Sequence, residues 1–192
     1  MIDEQSVSGE SAGHDHPVLM AVKEAFPDVR LQATVFRNQT TLLLSREALH
    51  PVMRFLRDDS RCALNFLSDV TAVDYLGYPA KQPGRFAVVY LLASVSLKTR
   101  LTVKTYLDPS IDTLGNEDDP ELIVDTVTDI WPGAEWRERE VYDMFGIRFR
   151  GHPDMRRILL WKDFPAFPLR KDYPLRGRGE RERYRILERE TS

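Results

Sequence analysis

The sequence predicts a two-layer α+β domain with a mixed, mostly antiparallel sheet, helices on one face, and an extended irregular C-terminal tail. Stretches with strand-like alternation lie among stretches of helical period, and most of the strand-like ones follow each other closely enough to pair as hairpins. After Gly146 neither period continues, and arginine, proline and aromatic residues dominate. We therefore expect residues 1–15 to be disordered, 16–145 to form an α+β domain and 146–192 to form an extended basic tail whose large apolar residues pack either on the flank of this domain or on another protein.

The first seven elements follow from periodicity and from capping residues. Pro17 suits the first turn of a helix, and Ser45 suits the N-cap of a second helix in which Pro51 lies early. Residues 86–95 are apolar throughout, which is typical of a strand in the interior of a sheet. The predicted elements are a helix over 17–26, strands over 29–35 and 40–44, a helix from 46, and strands over 71–76, 86–95 and 101–107.

Two further helices are predicted before the tail. Asp119-Pro120-Glu121 combines an N-cap, a first-turn proline and an acid that favours the helix dipole, so a helix is expected to run to about Ile130. A short helix then begins near Glu135, after a Trp-Pro-Gly turn. Gly146 ends it, in the position where a left-handed C-cap favours glycine.

The composition excludes several classes of protein. The chain has 192 residues, 42% of them hydrophobic, which is enough for one domain with a buried core. The single cysteine, Cys62, excludes a disulfide framework and an iron–sulfur cluster, which needs about four thiolates. The first residues resemble neither a secretory signal nor an organelle presequence. The longest apolar run is far shorter than the roughly 20 residues of a membrane helix, so we expect membrane association only through partners.

The charges are divided unevenly along the chain. From Gly146 onward there are 13 Lys and Arg against 7 Asp and Glu, whereas residues 1–145 carry 14 against 23. A basic tail on an acidic body is compatible with nucleic-acid binding, with contact to an acidic protein surface, or with an ordinary solvated face. Arginine next to bulky apolar residues is a composition enriched at protein interfaces, which favours a protein partner.

No group of residues predicts a catalytic site. Glu138 and Glu140 are two apart and point to different sides of a helix, and Arg137 and Arg139 are available as ion-pair partners. We therefore expect structural salt bridges from these carboxylates and from Asp143. His152, between glycine and proline, is expected to be a hydrogen-bonded turn residue. His14 and His16 would form only an adventitious metal site, and no nucleophile, P-loop or dinucleotide motif is present.

Several motifs in a fixed order resemble a known family. ERE, YDMFGI, GHPDMRRIL and PLRKDYPL follow FLSDVTAVDY and VTDIWPGAEWRERE, over roughly residues 65–176. Together they resemble the 30 kDa-type subunit, or C subunit, of the proton-translocating NADH:quinone oxidoreductase, respiratory complex I. One departure is Ala166 before Phe167, where the family usually has glycine.

The resemblance implies a non-catalytic accessory subunit of the peripheral arm of that complex, on the cytoplasmic side of the bacterial plasma membrane. It would bind the quinone-site subunit, or D subunit, with the B and I subunits nearby, as a separate chain rather than one fused to its partner. In this arrangement residues 16–145 would be the docking domain, and the tail, residues 146–192, would wrap over the D subunit. The holoenzyme passes electrons from NADH through FMN and iron–sulfur clusters to quinone, and this chain would hold none of these cofactors. The candidate interface residues are Glu138, Arg139, Glu140, Asp143, His152, Arg156, Arg157, Arg170, Lys171, Asp172 and Arg176.

Two alternatives remain open at this point. One is the equivalent subunit of a related membrane hydrogenase or ferredoxin-dependent complex. The other, from a different class, is a nucleic-acid-binding module that uses the basic tail.

Overall fold

The computed structural model describes residues 16–111 and 119–180, and it has the predicted α+β arrangement. The expected disorder of residues 1–15, most of the acidic loop before Asp119 and the end of the tail lie outside these residues. The helices are α1 (Pro17–Ala25), α2 (Arg46–Asp58) and α3 (Ala134–Phe145). The strands are β1 (Gln32–Phe36), β2 (Gln39–Leu44), β3 (Phe66–Asp74), β4 (Phe86–Ser94), β5 (Thr99–Leu107), β6 (Ile123–Asp125) and β7 (Arg148–Arg150).

The main sheet has the strand order β1-β2-β5-β4-β3. Only β2 and β5 pair in parallel, and the other three pairings are antiparallel, so the predicted mixed and mostly antiparallel sheet is confirmed. Apolar side chains of α1, α2 and α3 join one core cluster with alternate residues of the strands, such as Val88 and Tyr90 of β4 and Val103 of β5. Since successive strand residues point to opposite faces, the helices cover a single face of this sheet.

The predicted hairpin of residues 86–107 is confirmed as β4 and β5, with Phe86 opposite Leu107 and Ser94 opposite Thr99. As expected for an apolar strand, β4 lies in the interior of the sheet, between β5 and β3. The predicted bounds of α1, β2 and α2 also lie within a residue of the observed ones. Ser45 caps α2 as predicted, because its side chain accepts a hydrogen bond from the backbone N–H of Ala48.

The helix predicted from Asp119 to Ile130 is wrong. The carboxylate of Asp119 accepts hydrogen bonds from the backbone N–H groups of Ser110 and Ile111 as well as Glu121, so it fixes a loop rather than a helix start. The residues that follow form β6, which pairs in parallel with β7. The β-branched pair Ile123-Val124 fits a strand better than a helix, and tertiary pairing outweighs the capping signal.

Two strand positions also differ from the prediction. The strand expected over residues 29–35 begins later, at Gln32, and all five residues of β1 are exposed because it is an outer strand of the sheet. Val29 and Leu31 instead pack against the core from the connection before it. The strand expected from Thr71 begins earlier, at Phe66, with a register irregularity before Asp69.

The described part of the tail packs against the domain. Gly146 ends α3 in the left-handed conformation, with φ of 74°, as the sequence predicted. A Cβ atom at Gly146 would lie 2.6 Å from both Arg170 Nη2 and the ring of Phe167, so the tail closes directly over this glycine. Phe164 and Phe167 are buried, which places large apolar residues of the tail on the flank of their own domain.

Candidate subunit interface

Asp143 anchors residues 157–160 of the tail to α3. Its side chain is fully buried and accepts a hydrogen bond of 2.7 Å from Arg157 Nη1. The other carboxylate oxygen accepts from three consecutive backbone N–H groups, those of residues 158–160, at 2.7–3.0 Å. Arg157 also donates to the carbonyl of Ala166. One carboxylate therefore fixes a whole segment of irregular chain. Asp143 makes a structural salt bridge, as predicted, but its partner is Arg157 of the tail and not the predicted Arg137 or Arg139 of α3.

Glu138 is also fully buried, but no cation faces its carboxylate among the described residues. Its oxygens accept hydrogen bonds from the backbone N–H of Val127 at 2.8 Å and from the hydroxyl of Thr126 at 2.5 Å. The pKa of Glu138 is raised to about 7, chiefly by burial and to a smaller extent by the nearby charge of Asp129, while the two hydrogen bonds oppose the shift. The expectation of a salt bridge to a neighbouring arginine is wrong here, because Glu138 points into the core.

The remaining candidates on α3 lie at its surface. Glu140 is half-exposed, with its carboxylate 3.6 Å from Arg137, which is the kind of salt bridge the sequence predicted. Arg139 instead donates to the carbonyls of Arg156 and Arg157. These contacts connect the outer side of α3 to the tail.

His152 is a hydrogen-bonded turn residue, as predicted. Its Nδ1 accepts a hydrogen bond from the backbone N–H of Asp154 at 3.0 Å, so the ring proton lies on Nε2. That Nε2 donates to the carbonyl of Glu135, also at 3.0 Å. Both ring nitrogens are used within the chain.

Arg170 is inserted between two aromatic rings at the end of α3. Its guanidinium lies 5.3 Å from the ring centroid of Phe86 and 4.7 Å from that of Phe167, and Nε donates to the carbonyl of Phe145 at 2.6 Å. The residue is 4% exposed, and burial lowers the pKa of Arg170. Such a stacked, buried arginine holds the tail to the sheet.

A network of four charged residues surrounds that insertion. Arg85 donates to Asp74 at 3.0 Å and to Asp172 at 2.7 Å, so it joins the sheet to the tail. The backbone N–H of Lys171 also donates to Asp74. Burial alone would raise the pKa of Asp74, but the hydrogen bonds from Arg85 and from two backbone N–H groups bring it below its usual value.

The predicted site residues therefore divide into two groups. Contacts inside the chain are made by Glu138, Arg139, Glu140, Asp143, His152, Arg157, Arg170 and Asp172. Arg156, Lys171 and Arg176 have exposed side chains, and only Arg156 has an acidic neighbour within 4 Å, Asp154, among the described residues. Near them, Leu169 is 53% exposed and Leu175 is fully exposed.

A family model described as the 30 kDa subunit of respiratory-chain NADH dehydrogenase matches residues 42–179. The chain belongs to this family. It is therefore a component of the NADH:quinone oxidoreductase class, complex I. The C subunit of NADH-quinone oxidoreductase from Citrifermentans bemidjiense is 43% identical over 87% of this chain and 93% of that protein. Its counterpart from Geobacter sulfurreducens is 42% identical with the same coverage.

A eukaryotic relative and a solved structure extend this likeness. The mitochondrial NADH dehydrogenase [ubiquinone] iron-sulfur protein 3 of Candida albicans is 39% identical over 86% of this chain and 56% of its own length. A structure described as a trypsin-resistant fragment of Nqo5, residues 1–134, superimposes with a TM-score of 0.57 at 32% identity. It covers 72% of this chain and 99% of that fragment. Among the described residues of this complex I component, no helix combines the length and the apolar character needed to cross a bilayer.

Proposed function

We propose that this complex I component is a non-catalytic docking protein of the peripheral arm. It binds the quinone-site subunit through the exposed side of its tail, close to the B and I subunits, on the cytoplasmic side of the bacterial plasma membrane. Its role is to hold the quinone-reducing part of the complex together. Electron transfer from NADH through FMN and the iron–sulfur clusters to quinone takes place on other subunits.

The main observation in support of this proposal is that inward-pointing side chains lie among exposed ones in residues 169–176 of the tail. Arg170 and Asp172 point inward and attach the segment to the domain. Leu169, Lys171 and Leu175 are exposed, as is Arg176, and we call these four the outer tail residues. Because Arg170 and Asp172 hold this segment on the domain, the outer tail residues are already ordered before a partner binds. Less conformational entropy is then lost on binding. Exposed leucines beside two cations that make no ion pair among the described residues fit a partner that combines apolar groups with carboxylates.

The proposal that this chain binds none of the cofactors of the complex is supported by the side chains that could act as metal ligands. Cys62 is the single cysteine and lies in the core, where burial raises the pKa of its thiol to about 11. A neutral, buried thiol is a poor metal ligand, and one thiolate is too few for an iron–sulfur cluster. The remaining candidate ligands, Glu138, Asp143 and His152, already use their oxygens or nitrogens within the chain. These facts support a subunit that holds other subunits in place and binds no cofactor itself.

Nucleic-acid binding is less well supported by the arrangement of the basic residues. Three arginines of the tail have carboxylate partners on the same chain: Arg150 with Asp125, Arg156 with Asp154, and Arg157 with Asp143. A neighbouring carboxylate reduces the net positive charge that an arginine presents to a phosphate. Two other cations of the tail, Lys171 and Arg176, are exposed, make no ion pair among the described residues, and lie close to the exposed Leu169 and Leu175.

The test is a double charge reversal of Lys171→Glu and Arg176→Glu in the complete complex. Neither side chain makes an ion pair in the described structure, so the isolated chain should fold normally, with an unchanged circular dichroism melt. We expect recovery of the quinone-site subunit in a pull-down, and quinone reductase activity in membranes, to fall together by about tenfold or more. NADH oxidation with an artificial acceptor should be retained wherever the flavin-containing module still assembles.

The matched control is Lys23→Glu with Arg57→Glu, which makes the same change in charge on the exposed sides of α1 and α2. It should leave assembly unchanged. Normal recovery of the quinone-site subunit with the tail variant would contradict the proposed interface. Tight nucleic-acid binding by the wild-type chain in a gel shift, weakening steeply with salt, would favour the other class of function.

A further inference from the structure

The main sheet has one face that no helix covers. The register places Thr71, Val89, Lys104 and Leu43 side by side across β3, β4, β5 and β2 on that face. Val73 and Leu91, on neighbouring rows, are 36% and 38% exposed. These positions alternate with core residues such as Val88 and Val103, whose side chains point to the helices.

The chemistry of this open sheet face differs from that of an ordinary solvated one. An antiparallel sheet with one covered face usually carries polar side chains on the other. Here the open face carries the aliphatic side chains of Leu43, Val89, Leu91 and Val73, with threonines and Lys104 among them. Aliphatic side chains exposed together on one sheet face are typical of an interaction surface.

Lys104 lies at the centre of the open face, on the middle strand of the five. Its Nζ donates a hydrogen bond of 3.0 Å to the hydroxyl of Tyr75 and lies 5.7 Å from the ring centroids of both Tyr75 and Tyr106. No carboxylate lies within 4 Å of this ammonium among the described residues. The ring of Tyr75 is held edge-on by Tyr78, and Tyr106 donates to Gln82, so the charge is held in a fixed place.

We propose that the open sheet face binds another subunit of the same complex, through a surface that presents aliphatic side chains and one carboxylate opposite Lys104. An apolar partner that covered this face without an acid would bury an unpaired ammonium at high cost. Charge complementarity to Lys104 therefore requires a carboxylate on the partner surface. The exposed leucine and valine side chains require aliphatic groups around that carboxylate. The inference rests on the proposed function, but it concerns a surface separate from the outer tail residues.

RNA is the other ligand that a sheet with exposed aromatic rings and a cation can bind. The arrangement favours a protein, because Tyr75 and Tyr106 pack against neighbouring side chains and use their hydroxyls within the chain. The positions beside Lys104 on the neighbouring strands, Leu43 and Val89, are aliphatic and offer no stacking surface to a base. The described strands of the main sheet place two cations on this face, Lys104 and Arg100, which is few for the phosphate backbone of an RNA.

The first experiment needs no variant. Hydroxyl-radical footprinting compares the full chain alone with the chain in the purified complex and reads the modification of Tyr75, Tyr106 and Leu91. We expect these residues to be protected in the complex by about fivefold or more, as for side chains buried at an interface core. Equal reactivity in a complex that contains the chain would overturn this inference and leave the proposed function standing. Absence of the chain from the complex would overturn both.

The second experiment introduces Lys104→Glu and Lys104→Arg into the complete complex, with Arg57→Glu as a control on the helix side. Charge reversal should reduce incorporation of the chain by about tenfold or more, and the arginine variant should stay within about twofold of wild type. Equal incorporation of the Lys104→Glu and Arg57→Glu variants would overturn the inference. RNA binding by the wild-type chain that Lys104→Glu abolishes would also overturn it, in favour of a nucleic-acid surface. If Lys104→Glu does not fold, the inference is tested by the hydroxyl-radical protection of Tyr75, Tyr106 and Leu91 in the wild-type complex.

Discussion

Two carboxylates of α3, Glu138 and Asp143, are equally buried but differently compensated. Asp143 has a guanidinium and three backbone N–H groups around it, all supplied by the start of the tail. Glu138 has one hydroxyl and one backbone N–H, both supplied by the loop after β6. The first carboxylate is a charged anchor, whereas the second is held by neutral donors in an environment that favours its protonated form.

The difference shows that burial by itself does not define the role of an acid. A buried carboxylate with a cation stabilises the fold at neutral pH and is costly to remove. A buried carboxylate without a cation shifts its pKa upward and makes stability depend on pH. The two residues lie five positions apart on one helix and face different neighbours, so each can be perturbed separately.

Removal of the anchor should have the largest effect. Asp143→Ala leaves Arg157 buried without its partner and three N–H groups without an acceptor, so the free energy of unfolding should fall by about 3–5 kcal/mol. Urea denaturation of the purified chain measures it. The control is Asp154→Ala, whose half-exposed carboxylate pairs with exposed Arg156 and should contribute less than about 1 kcal/mol. Similar losses from both variants would contradict the distinction between a buried anchor and a surface pair.

Glu138 should make the protein less stable as pH rises from about 4.5 to about 7. The folded state binds its proton more tightly than the unfolded state, whose carboxyl has the ordinary value of 4.5. The contribution of Glu138 is therefore most favourable below pH 4.5 and is lost by pH 7. At about 1.4 kcal/mol per pKa unit, the loss is about 3 kcal/mol.

Glu138→Gln tests this assignment, since the amide keeps an acceptor for Val127 and cannot ionise. Between pH 4.5 and 7 the free energy of unfolding of the variant should depend less on pH than that of the wild type. Toward pH 8 the stability of the variant should rise relative to that of the wild type. Urea midpoints at several pH values give the comparison. An unchanged slope in the variant would mean that other groups cause the pH dependence.

Gly146→Ala should have a smaller effect and should act only on the tail. The left-handed backbone costs an alanine roughly 1–2 kcal/mol, and the new methyl group would press on Arg170 and Phe167. We expect faster amide exchange at residues 158–171 and an unchanged pH slope from Glu138. Gly133→Ala is the matched control, because its backbone is right-handed and nothing lies within 4 Å of the added Cβ. Equal exchange in the two variants would contradict the role of Gly146.

Local patterns predicted the parts of the fold that local forces determine. The β4–β5 hairpin, the Ser45 cap and the end of α3 at Gly146 depend on alternation, a capping oxygen and a positive φ, all of which are visible in the sequence. The segment after Asp119 was misassigned because its capping residues bind across a loop, and its partner strand, β7, comes more than twenty residues later.

The site was only partly predictable for the same reason. The sequence indicated which residues of α3 and the tail are functional candidates, but not which of them point inward. Asp74 and Arg85 were missed, although they lie at matching ends of β3 and β4 and a charged pair there could have been anticipated from the hairpin register. Their link to Asp172 depends on tertiary packing that no short-range pattern encodes.

The parallel pairing of β2 with β5 also has a consequence for the order of folding. β3, β4 and β5 form a meander of neighbouring strands, whereas β2 reaches β5 only after the intervening α2, β3 and β4 have been placed. Bringing distant segments together costs loop entropy before any hydrogen bond is gained, so such pairings form late. Substitutions in the β4–β5 hairpin should therefore slow folding, whereas substitutions in β2 should mainly speed unfolding. The β1–β2 ribbon is then the last part of the sheet to join it and the first to detach.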